Sequence, residues 1–157
     1  DIQPKPDEKV IIGGNFARWY GGFESYMIAQ EFDVPIWGQT SHAMREGEEQ
    51  LFSHLPRMSW VDWIKSLSTF KYAVHLMPTV AAGTFSLNCA YLGIPCIGNA
   101  DVDTQRTCHP QLSEQARKLA IRLREDEDFY KQCSVQAQAN YSQHYNIDAW
   151  KSRINLK

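Results

Sequence analysis

The segment from Tyr72 to Gly98, YAVHLMPTVAAGTFSLNCAYLGIPCIG, restricts the possible folds more than any other part of the chain. It opens on an apolar run, Tyr72–Leu76, with the length of a buried strand. A loop rich in turn residues and small residues follows, Met77–Thr84. Phe85–Leu92 then has the character of a helix, and Gly93 is suited to stop it at the C′ position. Pro95 leads into a second short run, Cys96–Ile97–Gly98. Strand, loop, helix, Gly-x-Pro and strand make one βαβ unit. At its loop-to-helix junction free backbone N–H groups and the helix dipole point outward, which suits a phosphate group.

The remaining chain extends this pattern. Lys9–Ile12 reads as a strand running into Gly13–Gly14–Asn15. Gly21–Gly22 precedes a helix over Phe23–Glu31, and Val34–Gly38 is the next strand. Thr40–Gln50 is polar and has no assigned structure. Leu51–Met58 holds a strand that Pro56 limits. Ser59 is a good N-cap for a helix carrying Trp60, Trp63, Ile64 and Leu67 at helical spacing. Beyond Gly98 the loop Asn99–His109 is polar. Helices are expected over Leu112–Arg124, Asp126–Tyr145 and Asp148–Ile154. Alternating strands and helices predict an α/β domain, with an open, mostly parallel sheet covered on both faces and a helical C-terminal third. No internal repeat is visible.

A length of 157 residues suits one domain with a sizeable core. The opening DIQPKPDEK, polar with two prolines and no Met, reads as a linker over residues 1–8. The domain then spans 9–157, and the chain is expected to be one piece of a longer protein. The net charge of −2 gives no push toward nucleic acid or an anionic membrane. No apolar run approaches the ~18 residues that span a bilayer, and no signal-peptide pattern is present. Cys89, Cys96, Cys108 and Cys133 form no CxxC pair and no zinc spacing, and Cys89 and Cys96 read as core residues. A reducing, cytoplasmic setting is expected, with room for peripheral membrane attachment in a full-length protein.

With these residues in view, the order resembles the C-terminal, donor-binding domain of GT-B fold glycosyltransferases of group 1 type, a Rossmann-like half of a two-domain enzyme. The likeness lies in Met77–Pro78–Thr79, Gly83–Thr84–Phe85, Asn88–Cys89–Ala90 and Gly93–Ile94–Pro95. It extends to LPRMSWVDWIKSL and to the closing YNIDAWKSRI, which resembles a helix that packs back toward the other domain. It covers nearly the whole chain. The resemblance implies binding of a nucleotide-diphosphate sugar, glycosyl transfer to an acceptor, and a partner N-terminal acceptor domain in the same protein. No cofactor is implied, and no metal. There are departures: the family's Glu-x7-Glu pair would fall on Val80 and Asn88, and the lysine after the first strand is missing.

Candidate site residues follow. Gly13, Gly14 and Asn15 either bring the backbone close to a donor phosphate or form an ordinary β–α turn. They lack a full GxGxxG and a P-loop lysine, so neither an NAD nor an ATP fingerprint is present. Arg18, where the family places a cation, either binds a diphosphate bidentately or stacks on a neighbouring aromatic. Gly83, Thr84 and Phe85 start a helix at which Thr84 or Ser86 can act as cap. Asn88 stands where relatives hold the ribose with Glu, or is a surface Asn. Arg57, Met58 and Ser59 mark the turn that holds the nucleobase in relatives. Trp60 and Trp63 are expected in the core rather than as a stacking platform. His75 is expected to be structural, beside a sugar-side loop holding Thr104 and His109. Asp101–Val102–Asp103 matches a DxD metal motif, but that pattern is common by chance, and no metal is expected. Two other readings remain: a non-catalytic binding or partner domain, and a flavodoxin-like or epimerase-like enzyme.

Overall fold

A computed structural model describes residues 2–3, 5–16, 21–39, 44–77, 84–98 and 113–154. In chain order they form β1 (Asp7–Asn15), α1 (Gly22–Ala29), a 3-10 turn (Gln30–Phe32), β2 (Ile36–Gln39), a second 3-10 turn (Glu48–Gln50), β3 (Ser53–Leu55) and α2 (Trp60–Leu67). Then come β4 (Phe70–His75), α3 (Thr84–Leu92), β5 (Cys96–Gly98), α4 (Ser113–Glu125), α5 (Glu127–His144) and α6 (Ile147–Ile154). The five strands lie in the order β3-β2-β1-β4-β5, and every neighbouring pair is parallel. The expected α/β sheet, with a helical C-terminal third, is the observed one.

The alternation of side chains along the central strands explains the layers. Val10 and Ile12 of β1, with Tyr72 and Val74 of β4, face one core together with Ile28, Phe32, Ala116, Ala120 and Leu123. Helices α1 and α4 cover that side. Ile11 and Ala73, the intervening residues, face a second core with Ile64, Leu67, Phe85, Cys89 and Leu92 of α2 and α3. Paired residues such as Ile11 and Ala73, or Ile12 and Val74, sit opposite each other in register. The strands that must be buried on both faces are therefore the apolar ones. Cys89 and Cys96 are buried in the second core, as their surroundings predict.

Element ends follow local chemistry. Ser59 caps α2, its Oγ accepting from the Asp62 N–H at 3.2 Å. Asp126 caps α5 through the Phe129 N–H at 2.9 Å. At the end of α3 the Ile94 N–H reaches the Cys89 carbonyl and the Gly93 N–H the Ala90 carbonyl, the paired bonds of a Schellman ending. Some boundaries differ from expectation. β1 starts at Asp7, inside the segment read as linker, and Lys5 already donates its N–H to the Ser68 carbonyl. It also runs on through Gly13–Gly14–Asn15, which belong to the strand rather than following it. β3 is only three residues long, because Pro56 cannot donate to the ladder.

The carboxyl end of β4 is fixed to α1. The Leu76 N–H donates to the Ser25 Oγ at 2.9 Å, and Ser25 is fully buried. The Leu76 carbonyl presses on Gly21, where an added Cβ would collide with its oxygen. Gly21 also has φ 69°, a conformation that other residues adopt only at a cost. Ser25→Ala would strand a buried N–H and should cost about 1–3 kcal/mol of unfolding free energy in urea titrations. Gly21→Ala, which meets both obstacles, should cost at least as much in the same measurement.

Candidate functional site

The connection from β1 moves outward to β2 and β3. The chain then returns to place β4 and β5 on the other flank of β1. The order therefore reverses between β1 and β4, and in open α/β sheets a crevice forms there outside the carboxyl ends of the strands. Gly13 and Gly14 end β1 at this point, and His75 ends β4. α3 begins nearby with Thr84, which is exposed.

The two glycines are required by what packs against them. A Cβ on Gly13 would run into the Phe85 ring. A Cβ on Gly14 would stand 2.9 Å from the His75 Nε2, and Gly14 has φ 67°. The His75 and Phe85 rings meet edge to face, with centroids 5.4 Å apart, and Phe85 also meets the Trp63 ring at 6.5 Å. Gly13, Gly14, His75 and Phe85 are thus one packed unit joining β1, β4 and α3. Burial drives the His75 imidazole down to about 4, so it is neutral at pH 7.

The other expected site residues divide into groups. Arg18, Gly83, Thr104 and His109 lie outside the described residues, as do Val80 and the Asp101–Asp103 pair. Ser86 cannot cap α3, because the helix already includes Thr84 and Ser86 is buried within it. Arg57 and Ser59 are exposed and Met58 is half-buried. Asn88 is half-buried, away from the glycine cluster, on the outer side of α3. Among the described residues no group of three or more His, Cys, Asp and Glu side chains comes together as a metal site would.

Trp60 corrects an expectation. It was assigned to the core with Trp63, Ile64 and Leu67, but it is 61% exposed while Ile64 and Leu67 are buried. Trp60 opens α2, one turn before Ile64, and its side chain lines a surface cleft instead of packing on the sheet. Trp60, Val61 and Ile64 of α2 line one side of a cleft of about 410 Å³, with Asn88 and Tyr91 of α3, Tyr141 of α5 and Ile2 around it. The sequence reading named neither Tyr91 nor Tyr141. The signal available for Tyr91 was the spacing of Thr84, Asn88 and Tyr91, which share one helix face at i, i+4 and i+7.

No protein-family model matches the chain, and no curated protein matches it. Solved structures do match. One is the C-terminal domain of a glycosyl transferase group 1 family protein (LpcC) from Francisella tularensis. It superposes with a TM-score of 0.71 at 14% identity, over 93% of this chain and 89% of that one. The fold is that of a group 1 glycosyltransferase C-terminal domain. AviGT4, a glycosyltransferase involved in avilamycin A biosynthesis, also matches, with a TM-score of 0.50 at 11% identity over 90% of this chain and 52% of that one. Among the described residues no helix is long and apolar enough to cross a membrane.

The neutral buried His75 makes a pH prediction for this domain. The imidazole binds a proton near pH 6.5 when unfolded and only near pH 4 when folded, so the unfolded state holds more protons between those values. His75 therefore contributes stability above pH 6.5 that is lost as pH falls toward 4, up to about 3 kcal/mol. Urea unfolding across this range should show the loss, and His75→Phe should flatten that part of the profile.

Proposed function

We propose that this chain is the donor half of a glycosyltransferase, binding a nucleotide-diphosphate sugar. The observation that carries this reading is the reversal of strand order between β1 and β4, with Gly13 and Gly14 near the end of β1 and α3 starting after β4, the place where open α/β sheets bind ligands. The shared fold supports it.

The diphosphate lies at the start of α3, held by amides over Gly83–Phe85 and by the Arg18 guanidinium. These groups stabilise the negative charge that grows on the leaving diphosphate as the glycosidic bond breaks. Gly13, Gly14 and Asn15 let the β1 backbone approach the donor, and the turn Arg57–Met58–Ser59 holds the base. Thr104 and His109 belong to the sugar side. The acceptor and its general base come from a second, N-terminal domain, and the part of AviGT4 that the superposition leaves uncovered leaves room for one. No metal is assigned a role.

Thermal melting with UDP, GDP, ADP, CMP and their sugar conjugates tests the reading. A ligand at about a hundred times its Kd adds ~2.7 kcal/mol of stability, roughly 5–10 °C for a domain of this size. A shift with one nucleotide is expected, and no shift with any of them would reject the donor assignment for this chain. Arg18→Ala should weaken the nucleotide that binds by roughly tenfold or more, the loss of a charge-assisted hydrogen bond, while leaving the ligand-free melting temperature unchanged.

A further inference from the structure

The residues just ahead of β1 are tied down at two places. Lys5 donates its N–H to the Ser68 carbonyl at 3.2 Å, and Asp7 donates to the Thr69 carbonyl at 2.8 Å. Both acceptors lie in the turn between α2 and β4. Gln3, Lys5 and Pro6 are exposed, but Ile2 is half-buried against the second core. Ile2 also forms part of the wall of the 410 Å³ cleft that α2, α3 and α5 line with Trp60, Val61, Asn88, Tyr91 and Tyr141.

These contacts give the segment a direction. Lys5 stands beside Ser68, at the carboxyl end of α2, whereas Ile2 shares the cleft with Val61 and Ile64, one to two turns earlier on the helix. Three residues of extended chain span about 10 Å, and the rise from Val61 to Ser68 is also about 10 Å. The segment therefore runs antiparallel to α2, toward its start. Because α2 follows β3 in a parallel sheet, that start lies on the side of the strands' carboxyl ends. Ile2 thus reaches from the amino end of β1 toward the side on which the strand order reverses.

Among the described residues, the hold ahead of β1 consists of one aliphatic side chain and two backbone hydrogen bonds. Val10–Ile12, by contrast, are fully buried in the ladder between β2 and β4. A segment with so few buried apolar contacts opens locally while the rest of the fold stays closed. Helices α2, α3 and α5 supply the other walls, so withdrawal of Ile2 turns the cleft into an open groove. Trp60, Val61 and Tyr91, already exposed, then form a continuous apolar surface along it. We propose that the segment carrying Ile2 and Lys5 is a latch: Ile2 docked is its closed state, and its release opens the groove while the sheet remains intact. The latch needs no nucleotide and stands apart from the donor assignment.

Amide hydrogen exchange and nuclear magnetic resonance of the whole chain test the latch. The Trp60 indole Nε1–H signal is assigned by its disappearance in Trp60→Phe. In Ile2→Asp the Lys5 amide should exchange at least tenfold faster than in wild type, while the Val10–Ile12 amides keep their protection. The Trp60 indole and Tyr91 ring signals should shift in the same variant, and Ile2→Leu should preserve wild-type exchange and signals. Lys5 exchange within twofold of wild type in Ile2→Asp, or unmoved Trp60 and Tyr91 signals, overturns the latch. Equal loss of protection at Lys5 and at Val10–Ile12 overturns it too, because the segment then opens only with the sheet. Shifts that grow with protein concentration would assign the groove to a second copy of the chain and also overturn it.

Discussion

The parallel pairing of β1 with β4 is the constraint from which the rest of the molecule follows. Both strands are buried on both faces, and the residues opposite each other, Ile11 with Ala73 and Ile12 with Val74, belong to two separate cores. A one-residue slip would exchange those cores, so the register is held by hydrophobic burial on each side. With the register set, the carboxyl ends of the two strands stand at a fixed height relative to each other. Ser25 and Gly21 then hold the backbone just beyond β4 through the Leu76 N–H and carbonyl. The end of β4 at the switch point is thereby tied to α1.

Within the crevice, packing and binding compete for the same atoms. Gly13 and Gly14 look from sequence like a bare backbone offered to a ligand. In the structure the space beside them is already occupied by the Phe85 and His75 rings. The glycines let β4 and α3 close against β1, which brings the start of α3 to the strand ends. Any ligand contact they make is through backbone on the opposite side. His75 belongs to this packing: buried and neutral, with its ring against Phe85, it has the surroundings of a structural histidine.

Much of the architecture was legible because burial leaves its period in the sequence. Tyr72–Leu76 and Cys96–Gly98 are largely apolar on both faces, as parallel strands must be, and the cap Ser59 and the stop at Gly93 mark helix ends by local chemistry. The errors have local causes. β1 extends beyond its apolar run because the strand ladder accepts Gly13 and Gly14, which carry no hydrophobic signal. Trp60 fits the apolar spacing of α2 yet lies outside the core, because period predicts a face and not how far the sheet extends beneath it. The cleft was less legible than the fold. It joins Ile2 with side chains from α2, α3 and α5, up to 139 positions apart in the sequence from Ile2 to Tyr141, and no local pattern encodes that meeting.

The strand order also governs how such a chain can assemble as it is made. β1 precedes its β4 partner by about sixty residues, with β2, β3 and α2 in between. Until that partner arrives, the central strand of the sheet is paired along only one edge. Its Ile11 face also lacks Ala73 and the residues that α3 contributes. Contacts of such long sequence separation are slow to form and leave unpaired edges exposed meanwhile. The arrangement that places β1 at the centre of the sheet thus makes the first half of the fold dependent on the second.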